Sequence, residues 1–337
     1  MKSITALKTT QFVCAVLFIV SIIPGLNRIF GFADFSYANS DKSDKYTAGD
    51  AEINQPVHNL TIDWASGKVD ILYHNKNTVI LSEKSKKTIS PEMQMRWWLD
   101  GDTLRIQYTK PGIHLNQNLQ KELTVTLPKD ILLDDVNINA TSGILTIPIL
   151  EATRLSTTIT AGEIFATVKA QDISCQATSG EIYMKVLEDT EEISASATSG
   201  NITIEAEDCE TLQASSTSGS VHITAEKARI LSAVSTSGGV YADLGVVKDV
   251  TTRSTSGDIQ IKIAALEKLK ASSTSGSVKA SLPEDPGFKA NLDSTSGRIT
   301  CSLPLIKQGN DYICGEGSGA VDISTTSGNI TIKALKG

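Results

Sequence analysis

The sequence is poor in the residues that most often carry chemistry. Only 5% of its 337 residues are aromatic, and only four are histidine: His58, His74, His114 and His222. None of these has a second His, or a Cys, at metal-ligand spacing, which excludes a zinc site of the usual kind. No Gly-x-Ser-x-Gly, His-Glu-x-x-His or phosphate-binding loop occurs. The local signatures of α/β-hydrolases, zinc peptidases and nucleotide-binding enzymes are therefore missing. The 31 basic residues are outnumbered by 38 acidic ones and mixed among them. Without a basic stripe, nucleic-acid binding is not expected. Gly, Ser and Thr are abundant instead, as suits many short strands joined by tight turns.

Long apolar runs are also lacking, apart from the first segment. Lys2 and Lys8 precede an uncharged stretch from Phe12 to Leu26, 15 residues interrupted by Pro24 and Gly25. That is short for a helix crossing ~30 Å of hydrocarbon. Ser36-Tyr37-Ala38 supplies small residues at the -3 and -1 positions of a cleavage site. Residues 1–38 read either as a cleaved signal peptide or as an N-terminal membrane anchor extended through Ile29, Phe30 and Phe35. Both readings export the rest of the chain, to be secreted or held at the cell surface, with the membrane met only through this segment. Residues 39–56 are polar with few apolar anchors and read as a flexible linker.

What is present is a repeat. Glycines recur at Gly143, Gly162, Gly180, Gly200, Gly219, Gly238, Gly257, Gly276 and Gly297, in steps of 19, 18, 20, 19, 19, 19, 19 and 21 residues. Most follow Thr-Ser, Gly328 ends one more such triplet, and Ala65-Ser66-Gly67 is a degenerate early copy. Aligned on the glycine, position -7 holds Leu155, Ile173, Ile193, Leu212, Leu231, Val250 and Leu269. Position +2 holds Ile164, Ile182, Ile202, Val221, Val240, Ile259 and Val278. Positions -5, -3 and +4 are small or apolar, and the residues between are mostly polar. Period two on both sides of the glycine means two strands per coil, each burying alternate residues. A unit that cannot bury its face alone must stack on its neighbours, strand on equivalent strand, with right-handed crossings. The pattern thus predicts an all-β, right-handed parallel β-solenoid with two strands per coil of about 19 residues. Each triplet glycine, Gly219 for example, is expected at positive φ. The inward Ser at -3 is expected to form a hydroxyl ladder beside the turns, each satisfying its neighbour or the backbone. Residues 136–337 carry the regular repeat. Residues 57–135 carry an irregular version with Trp64 as an end plug and a hairpin over Trp98–Leu104, as terminal capping coils do.

The Thr-Ser-Gly-x-(Ile/Val)-x-(Ile/Val) repeat resembles a known family. So do Trp64-Ala65-Ser66-Gly67-Lys68-Val69, the strand Leu123–Pro128 and the closing stretch Thr326–Ile332. They are similar to the bacterial β-strand-repeat proteins of unknown function that carry an adhesin label. The resemblance covers residues 57–337. It implies a β-solenoid on the cell envelope, near envelope-stress genes in some relatives, and it assigns no catalytic residue. It speaks to fold more than to activity.

Several candidates for chemistry remain. At +3, Phe165, Tyr183, His222 and Tyr241 should point outward, in adjacent pairs separated by Thr203. Such rings can stack on sugars or on a partner surface, or simply reflect β-propensity. Glu188, Asp189, Glu191 and Glu192 fall in one crossing loop and Glu207, Asp208 and Glu210 in the next. Stacked, these carboxylates could ligate Ca²⁺ or form a solvated edge. Among five cysteines, Cys175 and Cys209 occupy unlike columns, whereas Cys301 and Cys314 flank a possible hairpin and could pair. The opposite outward face, including Ser194, Ser196, Gln213 and Ser215, reads as soluble β-compatible filler. No cofactor is implied. Two function classes follow. One is a non-catalytic envelope module binding cell-wall polysaccharide or a surface protein. The other is a carbohydrate-active enzyme on a β-helix, which would need convergent carboxylates in a groove. A component of a membrane stress-sensing system is a third reading.

Overall fold

Each apolar column of the sequence becomes one stack of buried side chains. In the computed structural model the strands Val221–Ser235, Val240–Ser254 and Ile259–Ser273 run parallel and in register. Val221 pairs with Val240, Val240 with Ile259 and Ile259 with Val278, and all four are buried. The structure describes residues 44–110, 119–283, 285, 287–309 and 311–335. The leader expected at 1–38, the first residues of the linker and His114 lie outside the described residues.

Each 15-residue strand turns a corner midway. Between Val221–Ser235 and its neighbour the pairing skips Glu226 and Arg229. One coil thus contributes a strand to each of two faces, for example Val221–Ala225 and Ile230–Ser235. Val221, Ile223 and Ala225 point inward from one face, and Leu231, Ala233 and Ser235 from the other. Their alternation with exposed residues is the period two of the sequence. Burying one large aliphatic side chain stabilises by about 1.5–3 kcal/mol, and every coil repeats the burial. This is a parallel β-solenoid.

The turns hold by a different device from the one the glycines suggest. Gly67, Gly143 and Gly162 have positive φ, at 108°, 127° and 136°. Gly219 and the other glycines from Gly180 to Gly276 do not fall in that region, which corrects the expectation for the regular turns. Crowding explains their glycine instead. A Cβ on Gly219 would lie 1.9 Å from the carbonyl oxygen of Gly200, and one on Gly238 would lie 2.2 Å from that of Gly219. The glycines sit directly on one another, and any side chain would push the rungs apart. The -3 serines complete the turn, each hydroxyl bonding the backbone, one of the two kinds of partner expected for it. Ser235 Oγ donates to Gly219 O at 2.8 Å and accepts from Gly238 N at 2.9 Å. Ser216, Ser254 and Ser273 repeat both bonds one rung along. Each buried hydroxyl satisfies two backbone groups that neither face of the ladder reaches.

Both ends depart from sequential stacking. The strand Asn59–His74 lies between Thr103–Gln107 and Lys121–Pro128 on one side and Leu133–Ala197 on the other. The strands Gly319–Thr325 and Ile330–Ala334 are likewise inserted. They pair with Ile259–Ser273 and Val278–Leu282 on one side, and with Gly287–Ser294 and Ile299–Cys301 on the other. Accordingly the glycine column runs Gly276, Gly328, Gly297. Antiparallel pieces cover the outer rungs. The hairpin Arg96–Asp100 with Thr103–Gln107 turns at Gly101, with φ 68°.

Residues 44–56 are not a free stalk. Thr47–Ala48 pairs with Arg96–Asp100 and Ala51–Ile53 with Val79–Lys84, both antiparallel, and Tyr46 and Ile53 are buried. These few apolar residues suffice to dock a segment that composition alone marks as polar. Trp64 is buried in the second rung and not at the end. It meets Tyr108 edge-on at 4.9 Å and donates to Lys121 O at 3.2 Å.

Candidate functional site

The outward +3 column is built by strict register. Tyr183 pairs with Thr203, Thr203 with His222, and His222 with Tyr241. The sheet therefore brings the four ring residues into two stacks. Phe165 and Tyr183 lie 5.0 Å apart, centroid to centroid, with planes 7° from parallel. His222 and Tyr241 lie 4.6 Å apart at 12°. Coplanar rings side by side need more room than that, so each pair overlaps face to face. The rings stand edge-on to solvent, as offset-stacked pairs between strands must. A ligand lying flat along the strip would meet ring edges. Only the end faces of each stack are open.

Neighbouring +1 residues steady the rings. The Tyr183 hydroxyl donates to Glu181 Oε2, and that carboxylate raises the phenol above its ordinary pKa. Glu181 Oε1 accepts from Asn201 Nδ2 at 3.1 Å, and Asn201 Oδ1 accepts from Ser220 N at 2.9 Å. Tyr241 folds back over Gly239, where a Cβ would come within 2.7 Å of the ring. Two shallow hollows border the stacks. One, of about 290 Å³, includes Phe165, Tyr183, Lys185, Thr203 and Glu205 in its lining. The other, of about 200 Å³, includes His222, Thr224, Tyr241 and Lys262.

The acidic loops do not assemble a cation cage. Among the described residues no three carboxylate, His or Cys side chains converge on one point. Glu188 is bound by Lys169, Asp208 by Lys227 at 3.6 Å and Glu210 by Arg229. The same one-coil offset joins Asp243 to Lys262 at 2.8 Å and Glu267 to Lys248 at 3.8 Å. This ladder of ion pairs was missed. Opposite charges at i and i+19 were its visible signal. Glu188 itself has φ 70° and sits where the register slips between Val186 and Asp189, taking up the extra residue of the 20-residue coil. The Cys301 thiol is free and so is not joined to Cys314, although the hairpin between them, Ile306–Gln308 with Asp311–Gly315, is present. Cys175 is buried against Thr157, and desolvation pushes its thiol up to about 11.

A second cluster was not legible. In the N-terminal cap the side chain of Lys121 is fully buried, paired with Glu83 and hydrogen-bonded to Met93 O at 2.8 Å. Its ammonium lies 4.0 Å from the Tyr108 ring centroid and 5.1 Å from that of Trp64. Burial pushes its pKa down to about 8, against the pull of Glu83. Lys121 continues the inward alternation of Leu123, Val125 and Leu127, but a lysine at the start of a strand does not by itself read as a core residue.

The fold and this face define a β-solenoid with a ribbed outer surface, glycines and serines holding its turns. The chain belongs to the Toastrack DUF4097 family, whose pattern matches residues 57–333. It is similar to a crystal structure from Bacteroides fragilis described as a "putative adhesin". There the identity is 15%, over 86% of this chain and 97% of that one, with a TM-score of 0.35. A "putative cell adhesion protein" from Clostridium sporogenes is 12% identical over 86% of this chain and 100% of that one, with a TM-score of 0.17. No curated protein matches the chain significantly.

Proposed function

We propose that this protein is a non-catalytic cell-envelope module, exported by its N-terminal segment, that recognises cell-wall glycan or a surface protein through the outward +3 face. The observation that carries the reading is the pair of ring stacks on a rigid parallel sheet. A surface already ordered by its own fold loses little freedom on binding, and stacked units add contacts in parallel. Three carboxylates of the same face are already engaged, which supports a binding role over a hydrolytic one. Asp243 is held by Lys262 and Glu181 by Tyr183 and Asn201, while Asp258 accepts from Ser277 N. The test is sedimentation of the protein with purified cell wall, wild type against Tyr183→Ala with Tyr241→Ala. Both side chains are exposed, so secondary structure should be retained while wall binding is lost. Unchanged binding by the double variant, or no envelope binding by the wild type, would overturn the reading.

A further inference from the structure

The ring column has one interruption. Half-buried Thr203 stands in register between Tyr183 and His222, so the two stacks are separated by one rung without a ring. Tyr183 is the last ring of the first stack and His222 the first ring of the second. Their faces toward Thr203 are the ones no partner ring covers. At ~4.8 Å per strand the two rungs are about 9.6 Å apart. The existing stacks use 5.0 and 4.6 Å per step. The gap therefore equals two such steps and takes one further ring between two ring faces.

The surroundings say what kind of ring. On the +5 side of the gap Lys185, Glu205 and Thr224 are exposed and in register. On the +1 side lie Glu181 and Asn201, already linked to each other. The slot has aromatic walls and a polar rim on both open edges. A pyranose has the matching distribution, with C–H groups on its two faces and hydroxyls around its equator. An aromatic side chain from a protein partner would fill the walls and leave the rim to water. We propose that the gap over Thr203 is a subsite for one pyranose ring of a glycan, stacked between Tyr183 and His222. The ring's equatorial hydroxyls reach Glu205 and Lys185 on one edge and the Glu181–Asn201 pair on the other. This rests on the recognition-face reading above and narrows it to one ligand class and one position.

The test closes the slot without touching the fold. Thr203→Tyr continues the ring column, and a β-branched-to-aromatic exchange on an outward strand position is well tolerated. Thr203→Ser leaves the gap open. The probe is soluble glycan released from bacterial cell wall by muramidase, titrated calorimetrically into the full chain. Thr203→Tyr should weaken binding at least about tenfold, the size of effect expected when a stacking site is lost. Thr203→Ser should bind as wild type does. His222→Ala, which removes one wall and adds no bulk, should also weaken binding and guards against a folding defect in Thr203→Tyr. If Thr203→Tyr binds the glycan as wild type does while Tyr183→Ala with Tyr241→Ala does not, the slot is refuted and the recognition face stands. If the wild type binds no glycan fragment but still sediments with intact envelope, the pyranose subsite is wrong and a protein ligand replaces it. If it binds neither, both proposals fall.

Discussion

Gly219→Ala separates two reasons for a glycine. Were the residue kept for a left-handed backbone, asparagine would be the best substitute and alanine would cost about 1 kcal/mol. The structure gives the other reason. A Cβ at Gly219 would sit 1.9 Å from Gly200 O, 2.3 Å from Gly200 C and 2.9 Å from Asn201 N. Relief needs the two turns to part by about 1 Å or more, since nonbonded carbon and oxygen rarely approach within ~3.3 Å. The turns are tied at that point by Thr217 N to Ala197 O at 3.1 Å, Ser218 N to Thr198 O at 2.9 Å and Ser216 Oγ to Gly200 O at 2.8 Å. Losing these at ~1 kcal/mol net each, with some buried groups left unsatisfied, puts the cost at about 3–5 kcal/mol. Gly219→Asn should cost at least as much. Gly101 is the control, with φ 68° and nothing within 4 Å of a built Cβ. Gly101→Asn should stay within about 1 kcal/mol of wild type. Urea unfolding followed by circular dichroism gives the ranking. Hydrogen exchange across residues 202–254 locates the damage, which matters because repeat arrays need not unfold as one unit. A Gly219→Asn protein as stable as wild type would refute the crowding argument.

Ser254→Ala deletes the hydroxyl that donates to Gly238 O and serves Gly257 N, and should cost about 2–3 kcal/mol by leaving two enclosed backbone groups unpaired. Ser254→Thr should recover most of it, because Thr325 makes the same bond to Gly276 O at 2.9 Å; equal melting of the Ala and wild-type proteins would contradict this. Lys121 supplies a pH test. Its folded pKa of about 8 lies below the ordinary 10.5, so between those values the unfolded chain binds more protons and stability should rise with pH. The penalty is complete below about 8. Because the buried Cys175 thiol, pushed up to about 11, works the other way above its ordinary value, the measure is wild type against Lys121→Met. A wild-type denaturation midpoint that does not gain on that of Lys121→Met from pH 8 to 10 would count against the burial argument.

The regular part of the fold was readable because its chemistry is local and repeated. Leu231, Val250 and Leu269 at -7, with Val221, Val240 and Ile259 at +2, can all be buried only if coils stack in register. The period of 19 leaves one way to do that. The ring residues were readable for the same reason, since +3 must point away from +2 and +4. Ring orientation was not, because it depends on whether the neighbouring +1 residue is a glutamate, as beside Tyr183, or a glycine, as beside Tyr241. The cause of the glycine column was also hidden. A crowded glycine and a left-handed glycine look alike as letters, and Gly143 is both while Gly219 is only the first. Lys121 was invisible because its partners Glu83, Trp64 and Tyr108 come from three separate segments.

The order of rungs at the two ends solves a problem that stacking creates. A parallel ladder ends in a strand whose outward N–H and C=O groups would accept another chain, and chain termini are where strands fray first. Here neither terminal solenoid strand is left at an edge. Asn59–His74 at one end and Gly319–Thr325 with Ile330–Ala334 at the other are held on both sides. The outermost rungs are internal segments, and antiparallel strands close over much of them, though among the described residues Ile299–Cys301 has no such cover. Val79–Lys84 covers Lys121–Pro128, and Asp311–Gly315 covers the start of Gly287–Ser294. An antiparallel strand breaks the register that a second solenoid would need in order to continue the stack. The arrangement has a kinetic side. Middle rungs meet neighbours about one coil away in sequence. The inserted end strands meet partners on both sides that include much more distant ones, such as Leu269 with Val321. Because loop closure must precede such contacts, the regular rungs have a local route to assembly and the capped ends do not. Protection against edge pairing is therefore gained at the slowest-forming part of the molecule.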